Sequence, residues 1–169
     1  MGQTSEIGAP SERDRGFLRR CVELAREALQ AGDEPFGSVL VDSAGAVLVE
    51  DRNRVVTTGD ATRHPEFEIA RWAAQHLSLD ARRTSTVYTS GEHCPMCSAA
   101  HAWVGLGRIV YASSSEQLVG WRRHWGLEPG PVAPWGITAI TPHVLVAGPD
   151  PLLSIEIRAL HAESLGIQD

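Results

Sequence analysis

The sequence predicts an α/β fold, on three observations. Helical and strand periodicities alternate along the chain, the links between them are short, and no repeat or low-complexity linker interrupts the series. Residues 12–31 carry helical spacing, with Leu18, Cys21, Val22, Ala25, Ala28 and Leu29 on one face and Gly32 as a stop. Cys21 falls on that apolar face and reads as a buried small hydrophobe. Residues 36–41 and 46–49 are apolar runs separated by Asp42-Ser43-Ala44-Gly45, the pattern of a β-hairpin.

A second helix is expected over residues 65–79, with Pro65 in its first turn and Ala70, Ala73, Ala74 and Leu77 as its inner stripe. A third strand, residues 86–89, runs into Ser90-Gly91-Glu92-His93-Cys94-Pro95-Met96-Cys97, where a third helix begins at about Pro95 and ends near Gly105 or Gly107. Residues 108–112 follow at once as a fourth strand, so the strands flanking that helix should be parallel. Hairpin and parallel pair together make a mixed sheet, with residues 144–147 as its fifth strand. Residues 120–136 read as irregular and hold Trp121, Trp125 and Trp135, which either lid a pocket or build a subunit interface. A last helix starts near Asp150, the expected cap, with Pro151 at its first position. Trp72 and Trp103, inside helices, are expected in the core.

Composition narrows the function classes. A chain of 169 residues, 43% hydrophobic and 21% charged, suits one compact domain, here residues 12–169 after a polar, disordered lead-in over 1–11. No apolar run reaches the roughly 20 residues of a membrane span, and the N-terminus lacks a signal peptide's apolar core, so a cytoplasmic protein is expected. All 15 basic residues are arginine, which excludes a P-loop lysine, a Schiff-base lysine and a pyridoxal-phosphate attachment. A net charge of −6 argues against nucleic acid as a partner, and the pairs Arg19-Arg20, Arg82-Arg83 and Arg122-Arg123 read as solvated surface. Three cysteines, an odd number, favour metal or catalytic use over a disulfide framework.

Two motifs carry chemistry. Cys94-Pro95-Met96-Cys97 places two sulfurs at i and i+3 on one face of a helix start, where the helix dipole favours thiolate. Alone, it equally describes a thioredoxin-like redox pair; a structural zinc would need a fourth ligand that Cys21 is poorly placed to supply. His64-Pro65-Glu66 sits at the other helix start, and by itself describes an ordinary helix N-terminus with a favourably placed acid. Together they supply one imidazole and two thiolates, leaving a tetrahedral zinc one open position, as in catalytic sites. Two thiolates already offset the ion's charge, so a nearby carboxylate is needed to accept a proton from the water; Glu66, two residues from His64, can reach it without ligating.

This pattern resembles the zinc deaminases of the cytidine-deaminase superfamily, whose signature is His-x-Glu followed by Pro-Cys-x-x-Cys. It is most similar to the guanine, cytosine and tRNA-adenosine deaminases, from Gly32 to about Ala112, through residues 33–41, Ala102-Trp103 and Ile109-Val110-Tyr111-Ala112. The resemblance implies a three-layer α/β/α sandwich around a central five-stranded mixed sheet, one Zn2+ per chain on His64, Cys94 and Cys97, and Glu66 as proton carrier. It also implies a dimer. Asn53 stands where the family has a substrate-binding asparagine, and Phe36 is expected either as a pocket wall or as ordinary strand core. His93 stands where the family has proline immediately before the first cysteine. It is expected either to point at solvent or to touch substrate or support the metal site.

Within that resemblance, the acidic balance and a C-terminal segment, residues 160–169, without a basic cluster favour a small free base (guanine-like purine, cytosine or triazine analogue) over a tRNA-adenosine or nucleoside substrate. A structural-zinc binding module and a Cys-x-x-Cys redox protein are the competing classes. His76, His101, His143 and His161 show no partner pattern and read as structural; His124 lies in the irregular segment.

Overall fold

The computed structural model describes residues 8–168. In chain order the elements are α1 (Glu12–Gln30), β1 (Gly37–Val41), β2 (Val47–Arg52), α2 (Val55–Thr58), α3 (Pro65–His76), α4 (Leu79–Thr84), β3 (Thr86–Gly91), α5 (Pro95–Val104), β4 (Arg108–Ser113), α6 (Ser115–His124), α7 (Ile137–Ile140), β5 (Val146–Ala147) and α8 (Leu153–Ser164). Five strands form one mixed sheet in the order β2-β1-β3-β4-β5. β1 is antiparallel to both β2 and β3, whereas β3, β4 and β5 run parallel, as a hairpin and a β-α-β crossover require.

Period-two alternation sends side chains of the same strand to two cores. Val39, Val41, Tyr88, Val110 and Ala112 meet Leu18, Cys21, Val22 and Ala25 of α1 and Leu153, Ile157 and Leu160 of α8. Leu40 and Val87 face the other way, onto Ile69, Ala70 and Ala73 of α3 and Leu106. Gly37 permits the tight seating of α1: a Cβ there would fall 2.6 Å from Cys21 O and 2.8 Å from Ala25 N, and would overlap Leu24 Cβ. Beneath one edge, Tyr88 Oη donates to Asp14 Oδ1 at 2.9 Å, and Arg108 grips both Asp14 oxygens at 2.9 and 3.0 Å. That pairing holds the buried carboxyl down to about 2 against the opposing push of burial.

Several expectations are corrected. Residues 115–124, in part read as irregular, form α6, capped by Ser114, which accepts from Gln117 N at 3.1 Å. The second helix ends at His76 instead of continuing to residue 79; Ala70 and Ala73 face the core as expected and are joined by Ile69, Leu77 lies beyond the helix yet still packs against that core, and Ala74 is exposed. Trp103 is 90% exposed at the outer end of α5, not in the core, whereas Trp72, partly buried, packs against the core of α3 and stacks on His76 at 4.6 Å. Asp150 accepts from Leu152 N and Leu153 N, both at 3.0 Å, in the turn ahead of α8, but the N-cap position is Leu152 and Pro151 lies in that preceding turn. Arg82 is not surface solvation: it donates to Ala73 O, Ala74 O and Val104 O, the carbonyl ends of α3 and α5. Of the expected lead-in, residues 1–7 fall outside the described residues, Gly8 pairs in parallel with Ala147, and Ser11 caps α1. No helix among the described residues is long and apolar enough to cross a membrane.

Candidate active site

Two helix starts meet beside the C-terminal end of β3. His64 and Cys94 are the N-caps of α3 and α5, each followed by a proline at the first helical position, where no amide hydrogen is needed. The hydrogen bond from Arg54 N to Arg63 O closes the loop that starts beside Asn53 and ends beside His64. Cys97, one turn into α5, is fully buried.

His64 Nδ1 lies 3.7 Å from Cys94 Sγ and 3.7 Å from Cys97 Sγ. A tetrahedral zinc with ligand bonds of about 2.3 Å to sulfur and 2.0–2.1 Å to nitrogen would set those atoms about 3.6 Å apart. The donor set therefore fits zinc, and His64, Cys94 and Cys97 are the only such grouping among the described residues. Cys94 is pulled down to about 4 by the hydrogen bond from Cys97, against burial, with help from His64. Cys97 is pushed up, because it donates to Cys94 and is buried. His64 is raised by its contact with the Cys94 sulfur. A bound dication would favour the thiolate form of both sulfurs.

Glu66, 6% exposed, stands next to this group. Its Oε1 accepts from Thr89 Oγ1 at 2.7 Å and lies 3.2 Å from Ser38 Oγ, while Oε2 is 3.7 Å from Cys97 Sγ. Ser38 and Thr89 are register partners on β1 and β3, so one rung of the sheet puts two hydroxyls under one carboxylate oxygen. Burial pushes the Glu66 carboxyl up, opposed by His64 and by the Thr89 hydrogen bond.

A cavity of about 350 Å³ opens over the group, lined by His64, Glu66, Cys94, Phe36, Arg122 and His161 among others, with residues 130–134 on another side. Phe36, one of the two alternatives for that ring, is in the wall and meets His161 edge-on, centroids 4.9 Å apart. Asn53 is buried; its Oδ1 accepts from Val55 N at 2.9 Å and its N–H donates to Phe36 O, leaving the side-chain amide hydrogens without a partner among the described residues. Asn53 is not among the residues lining the cavity. His93 neither points at solvent nor lines the cavity: it is 1% exposed, packs edge-on against His101 at 5.4 Å, and its Nδ1 has no partner.

This zinc-fitting group, with a buried carboxylate and a cavity above it, lies within residues 11–113, which match the model described as cytidine and deoxycytidylate deaminase zinc-binding region. The chain belongs to this deaminase family. A probable cytosine deaminase of Schizosaccharomyces pombe is 37% identical over 112 residues, 64% of this chain and 65% of that protein. The guanine deaminase of Bacillus subtilis is 40% identical over 98 residues, 57% of this chain and 62% of that protein. Its solved structure superposes with a TM-score of 0.55 at 37% identity, covering 63% of this chain and 68% of the other. A tRNA-specific adenosine deaminase of Haemophilus influenzae is 32% identical over 117 residues, 68% of each chain. The matched stretch thus spans just under two thirds of the cytosine and guanine deaminases it resembles.

Membership of the deaminase family accounts for the metal-site motifs, but three cavity residues carried no sequence signal. His161, read as structural, and Arg122, read as solvated, come from α8 and α6, far along the chain from the motifs. Glu92 also lines the space and anchors it, accepting from Ser115 N at 2.8 Å and Ile137 N at 2.9 Å, the starts of α6 and α7. Only the Ser114–Gln117 capping box could have placed Arg122 on a helix.

Proposed function

We propose that this chain is a zinc-dependent aminohydrolase that removes the exocyclic amino group of a small free nucleobase or related heterocycle, such as a guanine-like purine, cytosine or a triazine. One observation carries the reading: the buried Glu66 carboxylate, with Oε2 3.7 Å from Cys97 Sγ, lines the same cavity as His64 and Cys94. A structural zinc site needs no proton carrier beside it, and a redox pair needs no imidazole 3.7 Å from both sulfurs.

The reaction replaces a C–NH2 group by C=O, consuming water and releasing ammonia. A zinc ion held by His64, Cys94 and Cys97 supplies Lewis-acid activation of the water. Glu66 accepts one proton of the water at Oε2 and passes it to a ring nitrogen, then takes the remaining hydroxyl proton as the C=O forms and gives it to the departing amine, which leaves as ammonia. Thr89 and Ser38 keep Oε1 occupied, so Oε2 is the oxygen free to move protons. Backbone N–H groups in the first turn of α5, which lack intrahelical partners, favour negative charge on the attacking oxygen. Phe36 stacks against or walls the heterocycle, whereas Asn53 lies outside the cavity lining.

The free-base choice is supported by the cavity size, which suits a small molecule, by the chain's own residues 130–134 across it, and by the net charge of −6. A tRNA-adenosine or nucleoside substrate is the second reading, favoured by the similarity to the Haemophilus protein. We also propose a homodimer, since Trp103 leaves an indole 90% exposed on α5 for a second copy to cover. Ammonia release from guanine, cytosine, adenine, their nucleosides and an anticodon stem-loop tests the substrate. Turnover of the stem-loop alone would replace the free-base reading with the second, and sedimentation at micromolar concentration decides the dimer.

A further inference from the structure

A cation lines the proposed catalytic cavity without a counterion. Arg122, on α6, shares the wall with His64, Glu66 and Cys94, and its guanidinium has no hydrogen-bond or ion-pair partner among the described residues. Arg15, Arg20, Arg52 and Arg108 each hold a carboxylate, and Arg19, Arg26 and Arg123 are exposed at the surface, whereas Arg122 is half-buried in the cavity wall. His161, on α8, is 7% exposed and lines the same space; its ring touches Phe36 and Trp121, and neither ring nitrogen has a hydrogen-bond partner among the described residues. A smaller hollow of about 170 Å³ shares Glu34, Leu118, Arg122 and His161 with the main cavity, so these four side chains form a common wall between the two spaces. Trp125 lines that hollow, and its Nε1–H is buried without an acceptor.

The shared wall sets the donors of Arg122 and His161 beside one carboxylate, Glu34, which forms no ion pair with Arg122 among the described residues. The guanidinium presents five N–H bonds and no acceptor, and a neutral imidazole adds one donor and one acceptor. Burial lowers His161 to about 4, with Arg122 adding to the effect, so the ring is neutral near pH 7. The unmatched guanidinium in a partly enclosed wall favours a ligand that brings an oxygen acceptor, and a ligand with amino groups alone would leave it unpaired.

We propose that Arg122 and His161 are the specificity-determining residues of this chain, binding the oxygen acceptors of an oxo-substituted heterocycle while Glu66 acts at the amine. The inference deepens the deaminase reading and rests on it. Oxo-bases such as guanine and cytosine are then preferred over amino-only bases such as adenine and 2,6-diaminopurine.

The test compares kcat and KM of the zinc-loaded protein for these four bases with those of Arg122→Met, Arg122→Lys and His161→Phe. For the oxo-bases, Arg122→Met raises KM about 10- to 100-fold, the loss expected for a hydrogen bond to a charged group, with kcat within about threefold. Arg122→Lys recovers part of the loss, His161→Phe also raises KM, and amino-only bases remain poor substrates throughout. Arg122 is only partly buried on α6, so Arg122→Met should keep the wild-type melting temperature, which separates binding from folding. An unchanged KM for guanine and cytosine in Arg122→Met, or a wild-type preference for the amino-only bases, overturns the inference and leaves the deaminase reading standing. If the wild type releases no ammonia from any base, the deaminase reading fails separately, and calorimetric titration then decides the subsite. Arg122-dependent binding of guanine or cytosine supports it, and no binding overturns it.

Discussion

Thr89 Oγ1 donates to Glu66 Oε1 at 2.7 Å from a β3 position whose register partner, Ser38 on β1, lies 3.2 Å from the same oxygen. The sheet therefore fixes one carboxylate oxygen and leaves the other toward Cys97. Orientation of the proposed proton carrier is built into strand pairing, which is more rigid than the loops around it.

Glu66→Gln keeps the shape of the side chain and removes its ability to carry a proton. Turnover should fall about 10²- to 10⁴-fold. Zinc content, measured by elemental analysis, should stay near one per chain, because Glu66 is placed beside the ligands and not among them.

Thr89→Val removes the 2.7 Å hydrogen bond at nearly constant volume. Oε1 is then free to compete with Oε2, and kcat should drop about tenfold with little change in KM. Thr89→Ser should restore most of the loss; equal losses in both variants would point to packing instead.

Removing zinc with a chelator should abolish ammonia release and lower the melting temperature, since the ion binds only the folded donor set. Far-ultraviolet circular dichroism should persist. Ile69, Ala70, Ala73 and Leu106 pack this side of the sheet with Leu40 and Val87, and none is a metal ligand.

Acid should weaken the fold in two stages. His101 and His161 are both lowered to about 4 by burial, below their ordinary 6.5. A histidine held neutral costs nothing above pH 6.5; as pH falls through 6.5 toward 4, the unfolded state takes up the proton that the folded state refuses. Each ring can then remove up to about 3 kcal/mol of stability. Asp14 works with the opposite sign: held down to about 2, it stabilises above its ordinary 3.8, and that contribution is lost as pH falls from about 4 to 2. Urea titrations at pH 7.5, 4.5 and 2.5 should show both stages, and His101→Gln should flatten the first.

Gly37→Ala should destabilise the fold by about 3 kcal/mol or more, because the new methyl meets the Cys21 carbonyl and Ala25 N, backbone that cannot step aside. Thermal melting of this variant beside a control, Gly120→Ala, where a Cβ would meet nothing within 4 Å, isolates the packing effect.

The grouping of the three candidate donors was legible because their geometry is local. Two sulfurs three residues apart on a helix start, and an acid two residues from an imidazole, are brought together by elements with strong periodicity of their own. β1, β3 and β4 were legible for a similar reason, their residues being almost wholly buried. The cavity wall was not. Arg122 and His161 lie on α6 and α8, and only the tertiary packing of those helices brings them to the metal end of the sheet. α6 itself was partly missed because none of its residues is buried, so no apolar stripe marks it. Trp103 misled for the converse reason: size alone predicts burial, but its place at the outer end of α5 faces away from the sheet.

The central claim is hydrolytic deamination of a small base by Glu66 beside a zinc held by His64, Cys94 and Cys97. Ammonia release from free guanine and cytosine by the zinc-loaded protein, with Glu66→Gln as control, tests it most directly. Turnover of at least one base, lost in the variant while zinc is retained, is the predicted result. Release that survives Glu66→Gln, or is seen with tRNA but with no free base, would contradict it.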